Sequence, residues 1–282
     1  MSLPLVSIMM PVFNGLPLIK ASIESLYLQS YSNWECIIVD DGSTDGTSQF
    51  LDTIDDKHFV IWHLAVNSGR AVARQKALDL CRGKYICMLD AEDLYHPNKI
   101  ALQVDFLENN PNYSLCTTAL CSFGTKTDML LVRGATKSGD VVFSRNNHPV
   151  HAPSMYRASI AKSCKYSSYL HLGEDQDFLE KYLKYNPLYY VFSDVLYYYS
   201  ELDSVSKHKI SKNYYLYILK YFRDKNYSQS FVYLLKFIYS KFIFPFKSIE
   251  SILYSRGRKV TQIERQEFNL YCKNLVDKVI SE

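Results

Sequence analysis

Cys36-Ile-Ile-Val-Asp-Asp-Gly-Ser43 joins a short run of apolar residues directly to a polar cluster. Two other segments change in the same way: Val6-Ser-Ile-Met-Met-Pro-Val-Phe-Asn14 and Lys84-Tyr-Ile-Cys-Met-Leu-Asp-Ala-Glu-Asp93. Short apolar runs that end in polar or turn residues are typical of buried strands. If these strands are parallel neighbours, their polar ends meet at one edge of a sheet, which is where α/β proteins bind their ligands.

Helical patterns alternate with these strands. A further strand is predicted over residues 59–64, and Gly83 is expected to be a helix C-cap. The predicted helices cover residues 16–29, 44–54, 68–81 and 97–109. The order β-α-β-α-β-α-β predicts an α/β fold with a mostly parallel sheet, right-handed crossovers and helices on both faces.

The second half of the chain is less regular, and it becomes helical near residue 207. We predict two strands, over residues 189–192 and 195–199, and a helix that follows Glu174-Asp175. The later predicted helices cover residues 212–223, 228–244, 247–254 and 261–280. The chain is therefore divided into an α/β domain, residues 1–206, and a helical C-terminal region, residues 207–282.

Composition excludes several classes of protein. Hydrophobic residues make up 48% of the chain and charged residues 22%, which is typical of a globular protein and not of a disordered one. No apolar stretch is long enough for a transmembrane helix, and the first residues lack the features of a secretory signal. The seven cysteines form no Cys-x-x-Cys pair. These features predict a cytoplasmic protein with reduced thiols.

Basic residues are concentrated in the C-terminal region. Residues 207–260 contain 12 Lys and Arg but 2 Asp and Glu, whereas residues 1–206 contain 17 and 23. Between Phe231 and Phe246, lysines interrupt an apolar, aromatic-rich stretch. Residues 207–260 are therefore expected to contact an anionic membrane peripherally, or else to pack on the α/β domain or on a second copy in a homo-oligomer. No nucleic-acid-binding fold accompanies the basic charge, so nucleic acid is not an expected partner.

Two acidic clusters follow the predicted strands. Asp90, Glu92 and Asp93 offer the oxygen ligands that Mg²⁺ or Mn²⁺ prefers, although acids are also common at the start of a helix. Asp40 and Asp41 could accept hydrogen bonds from a nucleobase or a ribose, or could simply cap a turn.

Two further segments carry candidate functional groups. Asn67, Gly69, Arg70 and Arg74 open a helix, and the two arginines share one face, where they could bind a diphosphate or remain solvated. Asp175 could act as a general base near a sugar hydroxyl, or could be an ordinary acid at a helix N-terminus.

Several motifs are absent. The sequence contains no Gly-x-Gly-x-x-Gly, no Gly-x-x-x-x-Gly-Lys-Ser/Thr and no Gly-x-Ser-x-Gly. Dinucleotide oxidoreduction, P-loop phosphoryl transfer and α/β-hydrolase chemistry are therefore not indicated. His148 and His151 belong to no Cys/His metal-binding pattern, so a zinc site is not expected.

Five segments of the sequence resemble glycosyltransferase family 2 in their order and spacing, over about residues 5–205. They are Val6–Asn14, Ile37–Gly46, Asn67–Arg74, Met88–Asp93 and Glu174-Asp175. The resemblance implies the GT-A fold, a Rossmann-like, mostly parallel sheet flanked by helices. Its nucleotide-binding half would be about residues 1–112 and its acceptor-side half about residues 113–206. It also implies a nucleotide-diphosphate sugar donor, a UDP-sugar above all, a saccharide or lipid-linked acceptor, inversion at the anomeric carbon, and Mn²⁺ or Mg²⁺ as cofactor.

The same resemblance implies roles for particular residues. Asp175 matches the catalytic base, and Glu92, with Asp90, matches the metal ligands of an Asp-x-Asp motif. Asp41 matches the residue that reads a uracil-type base. The other residues implied in nucleotide binding are Pro11, Val12, Phe13, Asn14, Asn67, Gly69, Arg74, Asp90 and Ala91.

Two positions differ from the family pattern. Glu92 stands where Asp is usual, and Ser200 stands where an Arg often follows Tyr. These differences motivate an alternative, a catalytically inactive nucleotide-sugar-binding or scaffold protein of the same fold. A sugar-nucleotide pyrophosphorylase would need a Gly-rich loop with Arg and Lys after the first strand, and the segment from Met9 to Asn14 lacks it.

Overall fold

A computed structural model describes residues 3–124, 129–144, 148–170, 173–201, 207–243 and 257–281. In its first part, strands and helices alternate as the sequence predicts. In chain order they are β1 (Val6–Val12), α1 (Leu18–Tyr27), β2 (Trp34–Asp40), α2 (Thr47–Leu51), β3 (Phe59–His63), α3 (Arg70–Leu80), β4 (Tyr85–Met88), β5 (Leu94–Tyr95) and α4 (Lys99–Asn109).

The first four strands form a parallel sheet in the order β3-β2-β1-β4. Strands β1, β2 and β4 are buried along their whole length, as expected of a parallel sheet covered on both faces. Val12 pairs with Asp40, and the amide of Leu89 donates to the carbonyl of Met9 (3.0 Å). The carboxyl ends of β1, β2 and β4 therefore lie at one edge of the sheet, which confirms the predicted α/β fold.

The second part continues the same sheet with strands of mixed direction. The added elements are β6 (Leu115–Phe123), β7 (Met129–Arg133), β8 (Gly139–Val142), β9 (Met155–Arg157), α5 (Ala158–Ala161), α6 (Glu174–Leu183) and β10 (Leu188–Ser200). Antiparallel β9 lies between β4 and β6, and β10 is parallel to β6. The two strands predicted over residues 189–199 are a single strand, β10, whose pairing with β6 shifts between Val191 and Tyr197. An irregularity of this kind interrupts the local pattern without ending the strand.

The C-terminal region contains a hairpin, α7 (Lys207–Arg223) and α8 (Tyr227–Ile243), and later helices α9 (Gln262–Phe268) and α10 (Asn274–Ser281). The helix predicted over residues 261–280 is interrupted by a π-helical turn, Asn269–Lys273. Phe268, Cys272, Val276 and Val279 are buried in a core cluster with residues of β6 and β10. The predicted helix over residues 247–254 lies outside the described residues. Among the helices that the structure describes, none is long and apolar enough to cross a membrane.

Two smaller predictions can also be compared with the structure. The C-cap of α3 is Cys81, so the assignment of Gly83 as C-cap is wrong. A Cβ on Gly83 would lie 2.6 Å from the amide nitrogen of Ser7, so this glycine is needed for close contact between main chains. All seven cysteines are buried, and none is paired in a disulfide.

Candidate active site

A cavity of about 340 Å³ opens at the carboxyl ends of β1 and β4. One wall is the segment from Pro11 to Leu16, which comprises the last two residues of β1 and the loop after it. The lining also includes Arg70 and Arg74, from the first turns of α3, and Asp90 to Glu92, which follow β4. Cations and carboxylates thus share one opening, a combination suited to an anionic ligand together with a metal ion.

The loops at this edge are tied together by side chains. The amide of Asn14 donates to Ser43 Oγ, and the amide of Thr44 donates to Asn14 Oδ1; both hydrogen bonds are 2.8 Å long. Gly42 has φ +73°, and a Cβ there would lie 2.8 Å from the carbonyl carbon of Val66. Only glycine therefore allows the loop after β2 to approach the loop before α3 so closely.

Asp40 and Asp41 have different surroundings. Asp40 is buried and accepts hydrogen bonds from Ser48 Oγ (2.5 Å) and the amide of Ser43 (3.0 Å), with His63 Nδ1 at 2.9 Å. Burial acts to raise the pKa of Asp40, but these hydrogen bonds hold it below its ordinary value. The side chain of Asp40 thus stabilises the loop after β2 through hydrogen bonds within the protein.

Asp41, the predicted base-reading residue, orients the start of α3. Its Oδ1 accepts from the amide of Ser68 (2.7 Å) and its Oδ2 from the amide of Gly69 (2.9 Å). Each carboxylate oxygen can accept a second hydrogen bond. Asp41 therefore fixes the Asn67–Gly69 turn from a buried position, with 3% of its surface exposed.

Arg74 connects three parts of the chain. Its Nη1 donates to Glu174 Oε1 (2.7 Å), and its Nη2 donates to Asp90 Oδ1 (3.2 Å). The side chains of Arg74 and Glu174 are both buried. Burial acts to lower the pKa of Arg74, but the carboxylates of Asp90, Glu174 and Asp175 hold it above its ordinary value. This buried ion pair attaches the start of α6 to the end of β4, so that Asp175 lies beside the residues that line the cavity.

Asp175 lies in the first turn of α6, one residue after the Glu174 anchor. Burial acts to raise the pKa of Asp175, but the positive charge of Arg74, the ring of His151 and the amide of Gln176 lower it below its ordinary value. Asp175 is therefore ionised at neutral pH and able to accept a proton. The first turn of the helix begins at Glu174, so the sequence prediction that Glu174-Asp175 precedes the helix is wrong by two residues.

His151 is a buried group beside this site. Its Nε2 lies 2.8 Å from the hydroxyl of Tyr166. Burial, together with the positive charge of Arg74, lowers the pKa of His151 to about 4. The ring is therefore neutral at physiological pH.

The three acids after β4 have different positions. Asp90 and Glu92 line the cavity, whereas Asp93 is buried and accepts from Tyr197 Oη (2.6 Å) and the amide of Ser200 (2.7 Å). Burial and the charge of Asp90 raise the pKa of Asp93 well above its ordinary value. Of the three acids, Asp90 and Glu92 are therefore the candidate metal ligands, and Asp93 stabilises the end of β10.

The residues fit a metal that is held partly by its substrate. Among the described residues, no three His, Cys, Asp or Glu side chains are gathered as a metal site. Mg²⁺ in nucleotide-dependent enzymes is commonly bound by one or two carboxylates, with phosphate oxygens and water as the other ligands. Asp90 and Glu92, facing a cavity that also presents two arginines, have the chemistry of such a site.

The structure brings most of the predicted site residues to this edge. Those that line the cavity are Pro11, Val12, Phe13, Asn14, Arg74, Asp90, Ala91 and Glu92. Asp41 and Gly69 lie at the N-terminus of α3, and Asp175 lies beside Arg74. Sequence reasoning missed Tyr199, which lines the cavity, and the proximity of His151 to Asp175. The sequence marks Tyr199 only as the residue before Ser200, in the position of the family's Tyr-Arg pair, and no local pattern links His151 to Asp175.

Known proteins resemble this chain in sequence. The model of the family described as glycosyl transferase family 2 matches residues 7–164. The putative teichuronic acid biosynthesis glycosyltransferase TuaG of Bacillus subtilis is 42% identical over 107 residues, 37% of this chain and 42% of that protein. The putative glycosyltransferase EpsE of the same organism is 33% identical over 170 residues, 57% of this chain and 59% of that protein.

A third relative has a more specific name, the UDP-Glc:alpha-D-GlcNAc-diphosphoundecaprenol beta-1,3-glucosyltransferase WfgD of Escherichia coli. It is 36% identical over 110 residues, 39% of this chain and 44% of that protein. The chain thus matches about half of the length of these three relatives, from 42% to 59%.

Solved structures of S. aureus TarS resemble the chain in fold. TarS 1-349 in complex with UDP-GlcNAc has a TM-score of 0.63 and 21% identity, covering 97% of this chain and 81% of that chain. The complex of TarS 1-349 with UDP has a TM-score of 0.60 and 20% identity, with 93% and 77% covered. At such identities the likeness concerns the fold alone.

Proposed function

Because the chain belongs to glycosyl transferase family 2 and has the GT-A fold, we propose that it transfers a sugar with inversion, from a UDP-sugar to a hydroxyl of a saccharide or lipid-linked acceptor. The observation that carries this proposal is the cavity at the sheet edge and the arginine beside it. Arg74 donates to Asp90, which lines the cavity, and to Glu174, which is adjacent to Asp175 in the chain. The names of similar proteins agree with the donor class: WfgD is named for UDP-Glc, and TarS was crystallised with UDP-GlcNAc.

Donor binding is assigned to the first wall and to α3. The segment from Pro11 to Asn14 would lie beside the nucleobase, and Asp41 would accept a hydrogen bond from the base. Arg70 and Arg74 provide positive charge for the diphosphate, since guanidinium groups pair well with phosphate oxygens. Asp90 and Glu92 would hold Mn²⁺ or Mg²⁺, which when bound stabilises negative charge on the leaving diphosphate.

Asp175 is assigned as the general base. Its carboxylate would take the proton of the acceptor hydroxyl while the hydroxyl oxygen forms a bond to the anomeric carbon. The bond from that carbon to the diphosphate breaks, and the nucleoside diphosphate leaves with the electron pair. A single displacement of this kind inverts the anomeric configuration and needs no covalent intermediate with the protein. Asp175 suits this role because the charge of Arg74 and the amide of Gln176 keep it ionised at neutral pH.

The donor can be identified by thermal shift with UDP-, GDP- and dTDP-sugars, with and without Mn²⁺. A ligand at about 100 times its dissociation constant stabilises a protein by about 2.7 kcal/mol. The base assignment is tested with Asp175→Asn, which should reduce transfer about 10²- to 10⁴-fold while donor binding persists. The configuration of the product, read by NMR, tests inversion. Near-normal turnover by Asp175→Asn would refute the base, and donor binding without transfer to any acceptor would favour a nucleotide-sugar-binding protein.

A further inference from the structure

The α7–α8 hairpin exposes a large apolar face. On α7, Tyr215, Leu219 and Phe222 recur at the spacing of one helix face, and all three are exposed. The exposed fractions of Phe222, Phe231 and Phe242 are 62%, 59% and 70%. On α8 the exposed apolar side chains are Phe231, Val232, Leu234, Leu235, Ile238, Tyr239 and Phe242. A contiguous apolar surface of this extent marks a site of interaction with a partner or a membrane.

On α8, this exposed face is separate from the contact with α7. Tyr233 of α8 packs on Tyr217 of α7, with ring centroids 4.8 Å apart, and Ser211 Oγ lies 2.8 Å from Ser240 Oγ. Tyr233, Ser240 and Phe237, which packs on Tyr215, thus lie on the side of α8 that faces α7. The exposed stripe of α8 is therefore an additional apolar surface, beyond what the hairpin needs for its own packing.

The charged residues of the two helices all have the same sign. The sequences of α7 and α8 contain seven Lys and Arg and no Asp or Glu. Lys236 and Lys241 are exposed among the apolar residues of α8, and their ammonium groups lie 4.5 Å and 5.4 Å from the ring centroids of Tyr233 and Phe237. Aromatic and aliphatic residues interspersed with lysine are the composition of helices that lie in the interface of an anionic membrane.

We propose that the α7–α8 hairpin docks on the surface of an anionic lipid bilayer. The exposed apolar residues would enter the headgroup region, and Lys236 and Lys241 would lie beside lipid phosphates. A second copy of the chain explains the surface less well, because lysine is depleted at protein–protein interfaces and two such faces would bring like charges together. A bilayer satisfies both features at once, since lysine side chains can extend along apolar surface toward anionic headgroups.

The position of the hairpin gives this docking a consequence for the site. Tyr217 packs against Gly173, where a Cβ would lie 3.3 Å from the Tyr217 ring, and Gln176 Nε2 donates to the hydroxyl of Tyr221 (3.3 Å). The hairpin is thus in contact with α6, which carries Asp175. If the proposed function holds, docking would place the candidate base near the membrane surface, where a lipid-linked acceptor resides.

Vesicle co-sedimentation of the full chain, without donor or acceptor, tests the docking independently of transfer. Vesicles of phosphatidylcholine alone are compared with vesicles that also contain phosphatidylglycerol. We expect binding to the anionic vesicles and little binding to the neutral ones. The double variant Lys236→Gln/Lys241→Gln should weaken binding roughly 25-fold, at about a factor of five for each lysine. The double variant Phe231→Gln/Phe242→Gln should weaken it about 100-fold.

Matched controls come from exposed residues elsewhere. Ile263→Gln/Leu270→Gln removes two apolar side chains that are 69% and 68% exposed on the C-terminal helices, and Lys57→Gln/Lys162→Gln removes two exposed lysines of the α/β domain. Both controls should bind anionic vesicles like the wild type, and circular dichroism checks that every variant is folded. Absence of vesicle binding, unchanged binding by the hairpin variants, or self-association that the hairpin variants abolish without any vesicle binding would each overturn the proposal.

Discussion

The substitution Glu174→Gln tests whether the buried ion pair with Arg74 positions the candidate base. The variant keeps an oxygen that can accept from Arg74 Nη1, now at 2.7 Å from Glu174 Oε1, but it removes the negative charge. Arg74 would then be balanced by Asp90 and Asp175 alone, and the start of α6 would be held less firmly. We expect lower stability and a lower turnover number, with donor binding largely retained because Arg74 itself is unchanged.

The size of the effect follows from the burial of both partners. Breaking a buried ion pair by removing one partner costs about 3–5 kcal/mol, and the acceptor retained by Gln reduces this loss to about 2–3 kcal/mol. For a chain of this size, such a loss lowers the melting temperature by roughly 5–10 °C. A displacement of the base by about 1 Å would reduce turnover about 100-fold. The measurements are thermal unfolding, donor binding by calorimetry, and initial rates with a UDP-sugar.

Glu35→Gln is the matched control. Glu35 is also a buried glutamate paired with an arginine, Arg82, and it accepts from Ser7 Oγ (2.6 Å). It lies near the amino end of β2, at the opposite end of the strands from the cavity. Its substitution should lower stability and leave turnover within about twofold of the wild type. Wild-type turnover by Glu174→Gln, or an equal loss of turnover by Glu35→Gln, would refute the positioning role.

Three further predictions concern protons and the metal. Arg74→Gln removes the cation that lowers the pKa of Asp175, so the acidic limb of the pH profile of kcat/KM should move to higher pH. Burial depresses the pKa of His151 from 6.5 to about 4, so as the pH falls the unfolded chain is protonated at this residue before the folded chain is. The contribution of His151 to the free energy of unfolding should therefore be fully present above about pH 6.5 and fall by roughly 3 kcal/mol toward pH 4. Urea unfolding at several pH values measures this loss. His151→Gln should flatten that dependence. Glu92→Gln should raise severalfold the Mn²⁺ concentration needed for half-maximal transfer.

Each of these predictions has a result that contradicts it. An acidic limb that stays in place in Arg74→Gln would show that another group controls it. A pH dependence of unfolding that His151→Gln leaves unchanged would assign the loss of stability to other residues. An unaltered Mn²⁺ requirement in Glu92→Gln would show that Glu92 is not a metal ligand. Glu24→Gln, a substitution on the exposed side of α1, is the control for Glu92→Gln.

The parallel part of the sheet could be read from the sequence because its signals are local. Each strand is a short apolar run, each helix shows its own spacing, and the handedness of β-α-β connections leaves few arrangements. The placement of Pro11 to Asn14 and of Asp90 to Glu92 at one edge follows from that topology. For the C-terminal region, the sequence predicts helices but not where they pack. Helices α9 and α10 enter the core through Phe268 and Val276, and helical spacing does not reveal which surface a helix covers.

Local sequence patterns are enough to show which residues end the parallel strands, and so which side chains gather at the cavity, because strand period and crossover geometry are set by near neighbours in the chain. How those side chains are used depends on contacts that form only in the folded protein. Asp93 turns into the core and not toward the cavity, Asp41 binds the amides that open α3, and Arg74 reaches Glu174 across 100 residues of sequence. Hydrogen bonds and ion pairs between residues so far apart depend on the packed arrangement of the whole sheet, and no periodic pattern records them.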